Sequence, residues 1–219
     1  MTEIVLHHLE RSRSTRVLWL LEELGLEYTM VTHQRDPKTI RAPKELEAIH
    51  PLGKAPTVVV DGEALAETGA ILETLVDELG EGRLRPSDPA LLRRYRYFMH
   101  YAEGSLMPPL LVKLIFEKVK TAPLPFFVKP IAKGIVGKVQ ATFYGPELAK
   151  HSAFLEAEVA KGEFLAGEFS AADIQMSYPL EALASRGGTE TPNIAAYLAR
   201  LHARPAYAKA LEKGGPVML

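Results

Sequence analysis

The chain has 219 residues, of which 47% are hydrophobic and 24% charged, a composition that excludes global disorder. Its 26 basic and 27 acidic residues leave a formal charge of -1, so it carries no basic footprint for nucleic acid. Cysteine is absent, which excludes a disulfide framework, a thiolate metal site and a cysteine nucleophile; any sulfur chemistry must use a ligand's sulfur.

Ile4 to Leu9 reads as a β-rich run. Thr15 to Leu24 carries apolar residues at Val17, Leu18, Leu20, Leu21 and Leu24, a helical period, and Gly25 follows as its C-cap. Tyr28 to Thr32 predicts a second strand and Lys44 to Ile49 a short helix. Thr57 to Val60 is β-branched, Asp61-Gly62 is a hairpin turn signal, and Glu63 to Leu65 returns. Thr68 to Leu79 is helical again, with Ile71, Leu72, Leu75, Val76 and Leu79 on one stripe. A helix between the first two strands makes them parallel, and the hairpin closes the other half antiparallel. This order predicts a thioredoxin-like domain.

Gly80 to Pro89 has linker composition: two glycines, two prolines, Ser87 and four charges. Beyond it the pattern turns helical. Leu91 to Lys120, Ala149 to Ala160, Ala171 to Ser185 and Ile194 to Leu201 read as helices, and Pro123, Pro125 and Pro130 interrupt the middle. The expected organisation is an α/β thioredoxin-like domain over residues 1–80, a linker over 81–89 and an all-α helical bundle over 90–219. No run reaches the ~18 apolar residues of a bilayer span. Met1 to His8 lacks a basic start and a long apolar core, so a cytoplasmic protein is expected.

The chain has no zincin histidine pair, no P-loop, no dinucleotide-binding glycine fingerprint and no Gly-x-Ser-x-Gly elbow, and no metal site is expected. Three clusters remain in the first eighty residues. Ser12 and Ser14 lie between the first strand and first helix, where one can cap the helix and the other can face a ligand. The positive end of that helix, with Arg13 and Arg16 beside it, suits an anion. Pro56 stands at a strand start; a cis Ala55-Pro56 bond there would present the Ala55 backbone to an extended peptide. Glu67 and Thr68 open the next helix, where a carboxylate could hold an α-ammonium while the hydroxyl and helix N–H groups hold an α-carboxylate. Capping and an ordinary loop are the plainer readings of all three.

These residues resemble the glutathione S-transferases over essentially the whole length. Ser12 to Leu24 (Ser-Arg-Ser-x-Arg-Val-Leu-Trp-Leu-Leu-Glu-Glu-Leu) looks like the serine-type members, and Leu52-Gly53-Lys54-Ala55-Pro56 with Glu67-Thr68 looks like the glutathione-binding loop and helix start. His100 to Ser105 and Phe169 to Ile174 are similar to a bacterial and fungal subgroup. The resemblance implies glutathione as co-substrate and Ser12 as the catalytic hydroxyl, four residues before Arg16, with Ser14 as the fallback. It implies that Lys54 contacts glutathione, that Ala55 before a cis Pro56 pairs with its cysteinyl unit, and that Glu67 and Thr68 clamp its γ-glutamyl end. It further implies detoxifying attack of the thiolate on small hydrophobic electrophiles, in a homodimer, with Tyr97, His100, Tyr101 and Met107 as candidate pocket walls. Ser170 to Asp173 reads as a capping box that starts a helix. Two other activities suit the same resemblance: glutathione-dependent reduction of organic hydroperoxides, and a non-catalytic scaffold. The absent cysteine argues against thiol-disulfide reduction.

Overall fold

The computed structural model describes residues 2–187 and 190–217; Met1 and Leu219, at the ends of the two expected domains, lie outside them. A four-stranded sheet of order β2-β1-β3-β4 forms the N-terminal part, from β1 (Ile4–Leu9), β2 (Thr29–His33), β3 (Thr57–Val60) and β4 (Glu63–Ala66). β1 runs parallel to β2, with Leu6 opposite Met30, and antiparallel to β3, with Leu6 opposite Val58. β3 and β4 pair antiparallel around Asp61-Gly62, both at positive φ (48° and 88°), as a two-residue turn of this hand requires.

α1 (Ser14–Leu24) is buried on nearly every side. The sheet lies on one side of it and two C-terminal helices on the other, so that even Ser14, Thr15 and Arg16 are buried. Gly25, at φ 63°, ends it in the left-handed conformation that favours glycine. The short helix expected over Lys44 to Ile49 is a 3₁₀ helix (Lys44–Ala48). α2 (Thr68–Thr74) passes into a π-helical turn (Leu75–Leu79), together covering the expected helix.

The rest is helical: α3 (Pro89–Tyr101), α4 (Met107–Thr121), α5 (Lys129–Val139), α6 (Gly145–Val159), α7 (Ala171–Arg186), α8 (Pro192–His202) and α9 (Pro205–Gly214). The single helix expected over Leu91 to Lys120 is interrupted by a π-helical turn at Ala102–Leu106. Another such turn (Gln140–Tyr144) joins α5 to α6. α1 packs against α7 and α9, which binds the sheet unit to the helical unit. Trp19 on α1 is fully buried against Phe169 and Tyr207, with ring centroids 5.8 and 4.9 Å away. Its indole N–H donates to Glu23, which also takes two hydrogen bonds from Arg204 at 2.6 and 2.8 Å. At the start of α7, the Ser170 N–H donates to the Asp173 carboxylate (2.8 Å), the reciprocal arm of the expected capping box.

Candidate active site

The turn from β1 into α1 spends two serines differently. Ser14 is fully buried, and its Oγ accepts the Leu9 N–H at 3.2 Å. Ser12, at the lip of the site, accepts the Ser14 N–H at 3.1 Å, and the two hydroxyl oxygens are 2.7 Å apart. Behind them stands His8, completely buried. Its Nε2 lies 2.9 Å from the Gly214 carbonyl, which can only accept, so Nε2 carries the proton. Burial holds the His8 pKa below its ordinary value of 6.5, against the opposing pull of the Gly214 carbonyl, so the ring is neutral near pH 7 and Nδ1 is a bare acceptor. The Ser14 hydroxyl, 2.8 Å away, then donates to Nδ1. With the Ser14 proton held by His8 and the Leu9 carbonyl, the Ser12 O–H is the donor across the 2.7 Å contact with Ser14, and of the two hydroxyls it is the one that a ligand can draw away by replacing that single contact.

His7 points the other way, with its Nδ1 3.1 Å from Nε2 of His33. Burial, then His33, lowers its pKa; burial also lowers that of His151. A histidine depressed in the folded state leaves stability intact above its ordinary pKa. It removes stability as pH falls below 6.5, because the unfolded chain then takes the proton first. Thermal melts are therefore expected to fall progressively between pH 6.5 and about 5, above the carboxylate range. A melting temperature flat across that window would contradict this burial.

Arg16, one turn beyond Ser12, is buried inside the protein. Its guanidinium donates to the Gln175 carbonyl (2.8 Å), the Gln175 side-chain oxygen (3.0 Å), Glu103 (2.7 Å) and the Thr68 hydroxyl (3.4 Å). Arg13 takes the other oxygen of Glu103 at 2.9 Å. One carboxylate thus sits between two guanidiniums, both stacked near the Tyr178 ring. Arg16 fixes the start of α1 to the start of α2 and to α7. Sequence reasoning missed Glu103 and Gln175 as partners, although Glu103 lies inside a stretch singled out for its resemblance.

The Ala55-Pro56 bond is cis, as expected. Lys54 is exposed, Ala55 is half-buried, and among the described residues the Ala55 N–H and C=O make no backbone hydrogen bond. The Thr57 hydroxyl donates to the Lys54 carbonyl at 2.9 Å, closing the loop. Glu67 is exposed and adopts φ 69°, ψ 116°, a conformation costly for any residue with a Cβ. Thr68 is buried at the first position of α2. Ser12, Arg13 and Arg16 border a crevice whose far side is Tyr178 and Glu181 of α7, Tyr207 of α9 and Val217 of the tail.

Of the residues expected as pocket walls, Tyr97 and Tyr101 pack elsewhere. They stack on each other at 5.5 Å and face Phe154 of α6. Tyr101 also hydrogen-bonds His151. They bridge α3 and α6, with Tyr101 buried and Tyr97 half exposed on an open groove that Arg94 and Phe154 also line. His100 is exposed and Met107 is buried.

The N-terminal domain model of the glutathione S-transferases matches residues 12–78, which begins at Ser12 and takes in both other clusters. Glutathione S-transferase 1 of Saccharomyces cerevisiae is 34% identical over 222 residues, covering 96% of this chain and 94% of that protein. A solved glutathione S-transferase of Actinobacillus pleuropneumoniae superposes with a TM-score of 0.75 at 32% identity, over 98% of this chain and 94% of the other. A solved glutathione transferase homologue from Sulfitobacter with bound glutathione has the same fold, with a TM-score of 0.72 at 22% identity over 99% and 100% of the two chains. A thioredoxin-like sheet, an all-helical second unit and this extent of likeness to the yeast protein place the chain in the glutathione S-transferase family.

Proposed function

We propose that the protein is a glutathione transferase in which Ser12 stabilises the thiolate of bound glutathione for attack on small hydrophobic electrophiles. The Ser12–Ser14–His8 chain carries this reading, because it leaves the Ser12 proton as the one available to a sulfur. Glutathione supplies the nucleophilic sulfur that a chain without cysteine cannot. Ser12 holds that sulfur by donating one hydrogen bond, and the α1 N-terminus adds its positive dipole end. A thiol of pKa ~8.5 is only about 3% ionised at pH 7, and lowering it by about two units makes roughly three quarters thiolate at about 2.7 kcal/mol. A hydrogen bond to a charged acceptor supplies about 1.5–3 kcal/mol, and a helix N-terminus up to about 1 kcal/mol more. No general base is required.

The unpaired Ala55 backbone receives the cysteinyl unit as an added strand would, with Lys54 exposed beside it. Glu67, in its strained conformation, presents its carboxylate to the γ-glutamyl ammonium, and Thr68 with the α2 N-terminus receives the carboxylate. The working form is a cytoplasmic homodimer, with the boundary between its two domains at residues 81–89. Retention of the full chain on immobilised glutathione, followed by conjugation of an activated aryl halide, tests the reading; a chain that is not retained refutes it. Because Glu67 is exposed, Glu67→Gln is expected to cost about 1 kcal/mol, a roughly fivefold rise in KM for glutathione with kcat unchanged. An equal fall in kcat would put Glu67 in the chemical step instead.

A further inference from the structure

We propose that His8 is a positioning residue for the thiolate, acting through Ser14: a proton gained by its ring turns the Ser12 hydroxyl into the site, so that thiolate formation and His8 protonation favour one another. The proposal rests on the assignment of Ser12 to the glutathione sulfur and adds a proton sensor to it. His8 lies on β1, completely buried beneath the start of α1. Its Nε2 is held from behind by the Gly214 carbonyl at 2.9 Å. That approach needs glycine, because a Cβ on Gly214 would come within 2.9 Å of the imidazole and 2.8 Å of Leu18. The contact keeps the ring in one orientation, with Nδ1 on Ser14 at 2.8 Å.

Hydrogen-bond capacity decides what a proton on Nδ1 does. A hydroxyl oxygen accepts two hydrogen bonds. With the ring neutral, Ser14 Oγ accepts from the Leu9 N–H at 3.2 Å and from the Ser12 O–H at 2.7 Å, which fills it. A protonated Nδ1 is a donor, and Ser14 Oγ is its partner. The Leu9 N–H is fixed by the backbone, so the bond that gives way is the one from Ser12. This holds whether Ser14 sends its own proton to Ser12 or to the Leu9 carbonyl at 3.2 Å. Ser12 still accepts the Ser14 N–H at 3.1 Å, and its own proton is left for an acceptor in the site. A thiolate is that acceptor and also brings the opposite charge. Burial opposes a charge on His8 most strongly; the Gly214 carbonyl and Glu10, just after β1, favour it, and His33 of β2 opposes it. From α1 and α9 the ring meets uncharged groups, Ser14 and Gly214. A bound sulfur anion therefore supplies what the protonated ring lacks. By linkage the effect is mutual: the protonated ring lowers the sulfur's pKa by as much as the thiolate raises the ring's.

The test is an NMR titration of the His8 ring in the full chain, saturated with glutathione or with S-methylglutathione, the same tripeptide without an ionisable sulfur. The His8 midpoint is expected at least about half a pH unit higher with glutathione, about a threefold stronger hold on the proton. Ser14→Ala cuts the chain but keeps Ser12, and should remove more than half of that difference. In His8→Phe, ultraviolet difference spectra should show a thiolate deficit against the wild type at least about twice as large near pH 5.5 as near pH 8. A purely structural histidine would leave a deficit independent of pH. Equal His8 midpoints in the two complexes, or a difference undiminished in Ser14→Ala, would overturn the proposal while leaving Ser12 in place. If the wild-type complex shows no thiolate absorption, the assignment of Ser12 itself falls, and this proposal with it.

Discussion

Ser12→Ala is expected to lower turnover at least about tenfold near neutral pH while glutathione still binds, and to move the pH–rate inflection from about 6.5 toward about 8.5. The size follows from the sulfur's ionisation. Without the hydroxyl's hydrogen bond the thiolate fraction at pH 7 falls from roughly three quarters to a few per cent. A more basic sulfur is intrinsically a better nucleophile and recovers part of that loss. Loss of the directed contact that aims the sulfur works the other way. The deficit should therefore shrink toward pH 9, where the free thiol ionises unaided. Ser14→Ala should behave differently. Its Oγ accepts the Leu9 N–H and its proton goes to His8, so its removal strands a buried amide and destabilises the β1–α1 turn without removing the hydroxyl that meets the ligand. If Ser14→Ala abolishes thiolate formation in a protein that still melts normally, while Ser12→Ala leaves it intact, the two roles exchange. Ultraviolet difference spectra of the glutathione complex read the thiolate directly in both variants.

The parts of this molecule legible in the sequence are those fixed by neighbours along the chain. The strands at Ile4, Thr57 and Glu63 and the helix from Ser14 follow from local periodicity and from turn residues such as Asp61-Gly62 and Gly25. Ser12, Pro56, Glu67 and Thr68 were visible because helix starts and strand starts constrain residue type locally. The π-helical turns at Ala102–Leu106 and Gln140–Tyr144 were not, since an extra residue in a turn leaves the apolar composition unchanged. α5 escaped notice among the prolines because its large apolar residues face outward and leave no core stripe. α9 is short and begins directly after the turn that ends α8. The partners that tune the site were invisible for another reason. Arg16 meets Glu103 at 87 residues' separation and Gln175 at 159, and His8 meets Gly214 at 206. Each is a polar residue that reads as surface until the fold closes over it.

Asp173, legible in the sequence as a helix cap, has further distant partners, and Asp173→Ala is expected to be the most damaging single change to stability. The carboxylate is completely buried. Its oxygens accept the Leu165 N–H (2.9 Å), the Ser170 N–H (2.8 Å), the Ser170 hydroxyl (2.9 Å) and the Tyr197 hydroxyl. It therefore ties the start of α7 to the segment before it and to α8. Burial pushes its pKa above the ordinary 3.8 against the opposing pull of these donors, and the four hydrogen bonds leave neither buried oxygen unmet. Alanine would strand two backbone amides and a phenol at about 1–3 kcal/mol each, so a loss of at least about 3 kcal/mol is expected. For a chain of this size that is roughly 6–12 °C in melting temperature. Asparagine fills the same space but turns an N–H₂ toward donors, so Asp173→Asn should recover less than half of the loss. Thermal melts of the two variants, followed by circular dichroism, decide the point. A drop below about 1 kcal/mol for Asp173→Ala would mean that water or a backbone shift satisfies those donors and that the capping box does not hold the helical unit together.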